Sequence, residues 1–324
     1  MVESLNSIKA PIESELKVFE QRFREAMKSH VPLLDKITYY IVQRKGKQIR
    51  PMFVLLCARL FGEVKDSGYI AASMIELLHT ATLVHDDVVD DSFERRGFFS
   101  INALWKNKIA VLVGDYLFSQ GMVIALKNNA YRIFQIVATA MKNIIEGELL
   151  QSEKARRLDI NEDIYYEIIR QKTASLIAAA CACGAAAADQ DEDTIERVRL
   201  FGEKIGIAFQ IKDDLFDFGS ADVGKPLGID IKEKKMTLPL IYALNHCPPK
   251  QARRIINTIK RNNNNPEKVK EVIEFVNNSG GIEYAREAML RYRNEAFQIL
   301  QELPDVPARE SLKQLVIFVT DRNK

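Results

Sequence analysis

The stretch LVHDDVVDD, residues 83–91, sets Asp86, Asp87, Asp90 and Asp91 within six positions, directly behind the apolar run LLHTATLV. Residues 208–217, AFQIKDDLFD, do nearly the same. Against ATLVHDDVVD (81–90) they share Ala at the first position and Asp at the sixth, seventh and tenth. On a helix Asp86 and Asp90 fall on one face with Asp87 beside them, and Asp213, Asp214 and Asp217 repeat the geometry. Like charges about 5 Å apart repel by roughly 3 kcal/mol at an effective dielectric of 20. A charge run is ordinarily a solvated face, but these flanks are too apolar for a surface helix. A hard divalent cation resolves the conflict: Mg²⁺ takes carboxylate oxygens and water, commonly with substrate phosphates completing its shell.

If phosphates are the other ligands, cations should lie nearby. Arg95 and Arg96 follow the first cluster in ERRG, where the helix should end. GKQIRP, residues 46–51, presents Lys47 and Arg50 at i,i+3 near a helix start, where backbone N–H groups also favour anions. Lys172 and Thr173 sit in IIRQKTASL, an odd mid-helix place for a lysine unless its head group finds a partner. Lys225, Lys234 and Lys235 fall in the long loop after the second cluster. His79 is seven residues before Asp86 and shares its face. Alone it reads as a satisfied core histidine; with the rest of the set it reads as a ligand.

These groups must be positioned by helices. Apolar residues recur at three- and four-residue spacing over most of the chain, and sustained strand alternation is missing. Asn161 before Glu162 and Asp163, and Asn265 before Pro266 and Glu267, have the form of N-caps. Breaks are expected at 97–101, 245–249, 261–266 and 277–281. The longest irregular stretch is 218–235, and loops of that length are usually functional or disordered. No linker-like composition divides the chain. The expectation is all-α, a single domain spanning 1–324 with about a dozen helices. The alanine-dominated stretch 174–188 either lets helices approach closely or lines a channel for something long and apolar.

Composition sets outer limits. The 324 residues are 47% hydrophobic and 28% charged, ordinary for a globular protein with a sizeable core. Basic and acidic residues number 46 and 44, for a net charge of +2. That balance gives no reason to expect nucleic acid. Cys57, Cys181, Cys183 and Cys247 offer one C-x-C pair and no second pair for a zinc site, so they read as small buried residues of a reduced protein. The N-terminus lacks the apolar core of a signal peptide, and the most lipid-like run, 176–188, is too short to span a bilayer. The expected location is cytoplasmic, with no integral membrane segment.

GKQIRP, LLHTATLVHDDVVDDSFERRG, the Lys172-Thr173 pair, AFQIKDDLFDF and GKPLGIDIKEKKMTLPL stand in the order seen in trans-isoprenyl diphosphate synthases, the polyprenyl synthetases. The chain resembles that family from about residue 40 to 240, and is most like its long-chain, octaprenyl- and solanesyl-type members. A lone DDxxD would be weak; two of them among these basic motifs are specific. The resemblance implies a helical bundle in which the clusters face each other across a central cavity, three Mg²⁺ ions bridging them to an allylic diphosphate. Asp86, Asp87 and Asp90 would form the first metal site, and Asp213, Asp214 and Asp217 the second. Arg95, Lys172, Thr173, Gln210, Lys225 and Lys235 would hold the allylic diphosphate, farnesyl or geranylgeranyl diphosphate. Lys47, Arg50, His79 and Arg96 would hold isopentenyl diphosphate. Asp86, Asp90, Arg95, Lys172, Asp213 and Lys235 are the expected catalytic set. A homodimer is also implied, and a long apolar product suggests peripheral membrane contact at its release. Two residues depart from the family pattern: Gln48 stands where Arg is usual, and Lys234 where Gly is common.

The reaction so implied is ionisation of the allylic diphosphate, attack by the double bond of isopentenyl diphosphate held close by, and loss of a proton. Short-chain members commonly place a large aromatic residue one turn before the first cluster as the cavity floor. Here those positions are Ala81 and Thr82, so the product is expected to reach seven or more isoprene units, as a quinone side chain requires. Leu78, Met74 and Ile75 lie deeper, and Phe134 is a candidate stop. Two alternatives remain, a short-chain (farnesyl or geranylgeranyl) synthase and a non-catalytic subunit of a heteromeric synthase, although such subunits usually lose aspartates and all six are present. A di-iron bundle would need a second copy of Glu76-Leu77-Leu78-His79, and His30, His85 and His246 follow Met27, Thr82 and Ala243 instead. A terpene cyclase would not be expected to keep GKQIRP or a second DDxxD.

Overall fold

A computed structural model describes residues 5–44, 46–95, 97–219 and 227–321. Among them the chain forms sixteen α-helices and one two-stranded antiparallel ladder. The helices are α1 (Leu5–Lys9), α2 (Glu13–Ala26), α3 (Pro32–Gln43), α4 (Ile49–Arg59), α5 (Asp66–Val89), α6 (Ile101–Lys127), α7 (Tyr131–Arg157) and α8 (Glu162–Ile169). After a π-helical turn at Arg170–Ala174 come α9 (Ser175–Ala187), α10 (Glu192–Phe216), α11 (Ile229–Lys232) and α12 (Leu238–Asn245). Four more close the chain: α13 (Pro249–Asn262), α14 (Pro266–Asn277), α15 (Gly281–Gln301) and α16 (Pro307–Thr320).

The all-α expectation holds, with more helices than the dozen read from periodicity. The extra ones are short pieces near the N-terminus and in the 218–235 stretch, too brief to show a period. The side chain of Asn161 accepts from the Ile164 N–H at 2.9 Å and that of Asn265 from Glu267 at 3.0 Å, so both N-caps form as read. The break at 97–101 contains something periodicity missed. Glu94 pairs with Phe99 and Arg95 with Phe98 across a tight hairpin, β1 (Glu94–Arg95) and β2 (Phe98–Phe99). Two-residue strands carry no alternation to detect.

The core has three parts. The largest gathers α4, α5, α7, α9 and α10 with α16 and the N-terminal helices. Pro51–Ala58 of α4 are buried all round, as is nearly every residue of α9, the pattern of helices that contact protein on every side. A second part joins α8 and the C-terminal half of α10 to α12–α15. A third packs α5 against α3 and α6. The alanine-rich stretch therefore serves close packing: a Cβ on Gly184 of α9 would come within 2.4 Å of the Val54 carbonyl oxygen of α4. Cys57, Cys181 and Cys183 are buried and unbridged.

Residues 176–188 are not the most membrane-like segment. Among the described residues that is α6, long and apolar enough by length and composition to cross a bilayer. Polar residues sprinkled through its length hide this in a reading of short runs. Its solvent side carries Leu104, Val111, Leu112, Met122, Val123 and Leu126, all exposed.

Candidate active site

Both aspartate clusters close a long helix: Asp86 and Asp87 lie in the last turn of α5 with Asp90 as its C-cap, and Asp213 and Asp214 in the last turn of α10 with Asp217 as its C-cap. The C-terminal end of a helix carries partial negative charge, so each exposed carboxylate there costs about 0.3–1 kcal/mol where a lysine would gain it. Six carboxylates gather in the least favourable place on two helices, a cost that a bound cation would offset. The end of α5 is firmly terminated: the Asn102 amide donates to the Asp87 carbonyl at 3.0 Å, and Ser92 N–H to the same oxygen at 2.9 Å.

Charge effects show what gathers around the first cluster. Asp90 lies at the surface, yet partial burial holds its carboxyl above the usual value, with Lys235 and Lys172 pulling it down and Glu233 and Glu148 pushing it up. Helices α5 and α7, the π-turn and the segment after α11 thus converge on Asp90. Lys172 pairs with Glu148 at 2.5 Å, and Lys235 pairs with Glu233 and lies 3.9 Å from Asp230. Burial would depress the Lys235 ammonium, but the hydrogen bond and ion pair to Glu233, with Asp230 and Asp90 close by, hold it above the usual lysine range.

Lys172 does not sit in a regular helix. Arg170–Ala174 winds as a π-turn between α8 and α9, a feature frequent at functional sites. Two glycines let neighbours reach it. A Cβ on Gly147 of α7 would come within 2.7 Å of the backbone nitrogen of Lys172, and one on Gly206 of α10 within 2.4 Å of Ala174 Cα. Thr173 on the turn donates to Oε1 of Gln210 at 2.7 Å, and Nε2 of Gln210 donates to Oδ1 of Asp214 at 2.8 Å. Asp214 also accepts from the Tyr165 hydroxyl at 2.7 Å. Burial first, then Asp230, pushes the Asp214 carboxyl up to about 8.

Asp217 is buried, which raises its carboxyl, while backbone N–H groups of residues 228–231 oppose the rise. Its Oδ1 accepts from Ile229 N–H at 2.7 Å. Its Oδ2 is buried with no hydrogen-bond partner among the described residues. Asp230 is raised to about 6 by burial, then by Asp217. A buried carboxylate oxygen lacking a donor, beside further carboxylates in an all-oxygen set, fits a hard divalent cation such as Mg²⁺. Among the described residues no three His, Cys, Asp or Glu side chains form a closed cage, so a cation here would draw further ligands from water or substrate.

Of the second basic set, the Arg50 guanidinium on α4 lies 2.9 Å from His79 Nε2 on α5, and the Lys47 ammonium sits 5.0 Å over the Phe318 ring of α16. Arg95 lies in β1, while Arg96 and Lys225 fall outside the described residues. Gln48 and Lys234, the two departures from the family pattern, both have left-handed backbones, φ 55 and φ 58.

Further back on α5, Ala81 has no exposed surface and packs in the part of the core shared with α6, whereas Thr82 is half-buried. Leu78, Met74 and Ile75 are buried in the main core and Phe134 packs against it, partly exposed. The sequence reading missed Glu148, Tyr165, Asp230 and Glu233. Asp230 and Glu233 lie inside GKPLGIDIKEKK beside its lysines; Glu148 and Tyr165 carry no local signal.

The family model described as polyprenyl synthetase matches residues 31–276. The chain is 36% identical over 302 residues to the octaprenyl diphosphate synthase of Escherichia coli, covering 93% of each. Its fold superposes on a decaprenyl diphosphate synthase from Rhodobacter capsulatus with a TM-score of 0.93 at 34% identity, covering 99% of this chain and 100% of that one. A geranylgeranyl pyrophosphate synthase from Bacteroides thetaiotaomicron gives a TM-score of 0.84 at 39% identity, with 98% of each chain covered.

Proposed function

The chain belongs to the polyprenyl synthetase family, and from that premise we propose that it is a Mg²⁺-dependent prenyltransferase making a long-chain all-trans polyprenyl diphosphate. It would extend an allylic diphosphate, farnesyl or geranylgeranyl, head-to-tail with isopentenyl diphosphate to seven or more units, as a quinone side-chain precursor. The observation that carries this reading is that Lys235 lies between the clusters, close to Asp90 of the first and to Asp230, which in turn neighbours Asp213 and Asp217 of the second, while Lys172 also acts on Asp90. In this reading residues 1–324 form one polyprenyl synthetase domain.

Asp86, Asp87 and Asp90 with Asp213, Asp214 and Asp217 are the carboxylates that would hold the metal, three ions in the family pattern. Bound Mg²⁺ supplies charge neutralisation that turns diphosphate into a competent leaving group. The chain's own cations do the rest. Lys172 and Lys235, with Arg95, Thr173, Gln210 and Lys225, hold the allylic diphosphate and stabilise its charge most strongly as the C–O bond breaks. Lys47, Arg50, His79 and Arg96 hold isopentenyl diphosphate so that its double bond faces the allylic carbon. The Arg50–His79 contact supports neutral His79, because its Nε2 must accept from a guanidinium that cannot give up its proton. The proton lost at the end passes to the released diphosphate, and no side-chain nucleophile is required.

Homodimer formation through the exposed apolar side of α6 would cover surface that a lone subunit leaves wet. Buried unbridged cysteines accord with a cytoplasmic location. Peripheral membrane contact would serve release of the long product.

The direct test incubates purified protein with labelled isopentenyl diphosphate, each short allylic primer and Mg²⁺, then sizes the products. Products of seven or more units are expected. No condensation with any primer overturns the enzyme reading in favour of a non-catalytic subunit. A stop at fifteen or twenty carbons establishes the short-chain alternative, which the resemblance to a geranylgeranyl pyrophosphate synthase favours.

A further inference from the structure

Tyr165 lies on α8, five residues ahead of the π-turn, and only 4% of it is exposed. Its hydroxyl takes one oxygen of Asp214, and Gln210, itself held by Thr173, takes the other. Tyr165 and Thr173 therefore grip one carboxylate from a single helical rod, directly from one end and through Gln210 from the other. On an unbroken α-helix two residues eight apart differ in direction by about 80°. The i→i+5 winding of the π-turn rotates less per residue, bringing Tyr165 and Thr173 toward a common side facing α10.

This sets Asp214 apart from its neighbours. A buried carboxylate is stable when both oxygens meet donors, and Asp214 meets that condition with the chain's own groups. Asp217 does not, since its Oδ2 has no partner among the described residues. We propose that Tyr165 is a positioning residue and that the six-carboxylate set assigned to the metal narrows at one position: the Tyr165 hydrogen bond fixes Asp214 as the anchor of the second cluster, so that Asp214 acts on the metal only by holding Asp213 and Asp217, the carboxylates that meet the metal–diphosphate. The inference rests on the functional reading above. It gives the π-turn a purpose, coupling the segment that carries Lys172 to the cluster on α10.

The test is calorimetric titration of Mg²⁺ in the presence of inorganic diphosphate, which needs no turnover. Groups that orient metal ligands typically contribute 10- to 100-fold in affinity. Tyr165→Phe should weaken Mg²⁺ binding about tenfold and raise the Mg²⁺ concentration needed for half-maximal turnover in step, with the KM for isopentenyl diphosphate unchanged. Asp214→Asn should weaken binding by a similar factor, and the double variant should be no worse than the weaker single, because both act through one contact. Unchanged Mg²⁺ binding in Tyr165→Phe overturns the inference, as does loss of all binding in Asp214→Asn, which would make Asp214 a direct ligand. Should Tyr165→Phe fail to fold, Gln210→Leu removes the other half of the grip and must give the same weakening, or the inference falls. A wild type that binds no Mg²⁺ with diphosphate overturns the functional reading and this inference with it.

Discussion

The ammonium of Lys172, on the π-turn, rests 2.5 Å from a carboxylate oxygen of Glu148 on α7, with both side chains about one-third exposed. Lys235 is held in the same way by Glu233. Two cations assigned to the allylic diphosphate are thus each engaged by a carboxylate of the chain itself. Under that assignment, Glu148 and Glu233 would compete with diphosphate oxygens for the two lysines.

Glu148→Gln should therefore release Lys172 to the substrate. An ion pair this exposed is worth at most about 1 kcal/mol, so inorganic diphosphate in excess Mg²⁺ should bind about fivefold more tightly. The apparent KM for the allylic primer should fall with it, and that for isopentenyl diphosphate should not move. Weaker diphosphate binding in calorimetry would mean that Glu148 aims Lys172 rather than competes for it.

The raised carboxyls predict a pH dependence of the metal-free protein. Asp230 moves from 3.8 to about 6, through burial and then Asp217. A folded-state value above the unfolded one means that the fold favours the protonated form. Its contribution is complete below about pH 4 and is lost as pH rises through about 6. In chelator, the melting temperature of wild type should drop relative to Asp230→Asn between pH 5 and pH 7.5. Mg²⁺ with inorganic diphosphate should restore more stability at pH 8 than at pH 5, because the metal binds deprotonated ligands. A wild-type-to-variant difference that stays flat with pH would contradict the assignment.

Backbone geometry makes two opposite predictions. Lys234 adopts φ 58, a left-handed conformation that costs a non-glycine residue about 1–2 kcal/mol. Glycine removes that strain but gives back about 0.5–1 kcal/mol in unfolded-chain entropy. Lys234→Gly should therefore be neutral to mildly stabilising, and should leave the Lys235–Glu233 pair in place. Gly147→Ala should do harm: its methyl would meet the Lys172 backbone nitrogen at 2.7 Å and Gln171 Cβ at 2.8 Å. Overpacking of that kind costs about 1–3 kcal/mol, and it should displace the π-turn and depress turnover beyond the stability loss. Denaturant titration and kcat on both variants check the pair; equal effects would show that neither contact matters.

The sequence made the carboxylate clusters and the helical class legible because each depends on local spacing. Asp86 and Asp90 are i,i+4 whatever surrounds them, and Asn161 caps its helix with atoms three residues away. Glu148 and Tyr165 were invisible for the opposite reason. Each gains its place only when a distant element arrives, Lys172 for the first and Asp214 for the second, 49 residues along the chain. The π-turn was equally hidden, since one extra residue in a helical winding leaves the apolar pattern almost unchanged. Gln48 and Lys234 were recognisable as departures from a pattern, but their shared left-handed backbone was not.

Product length is the last point at which sequence and structure diverge, and it yields the sharpest mutational test. One helical turn is about 5.4 Å, roughly one extended isoprene unit, so a floor placed one turn behind Asp86 should stop growth early. From sequence Ala81 and Thr82 were equivalent sites for that floor. In the fold they are not. Ala81 has no exposed surface and packs with Leu77, Val84, Ala110 and Val113 between α5 and α6. Phenylalanine there must displace those neighbours, at about 1–3 kcal/mol. Thr82 is half-buried, and its hydroxyl only returns to the His79 carbonyl of its own helix at 2.8 Å, so it can be lost at little cost. Thr82→Phe should melt within a few degrees of wild type, keep its KM for isopentenyl diphosphate and shift products to short chains. Ala81→Phe should melt measurably lower, whatever it does to the products. The paired measurement is product sizing with thermal denaturation. An unchanged product distribution in a stable Thr82→Phe would place the growing chain along another helix, and a wild type that already stops at twenty carbons would remove the need for a missing floor.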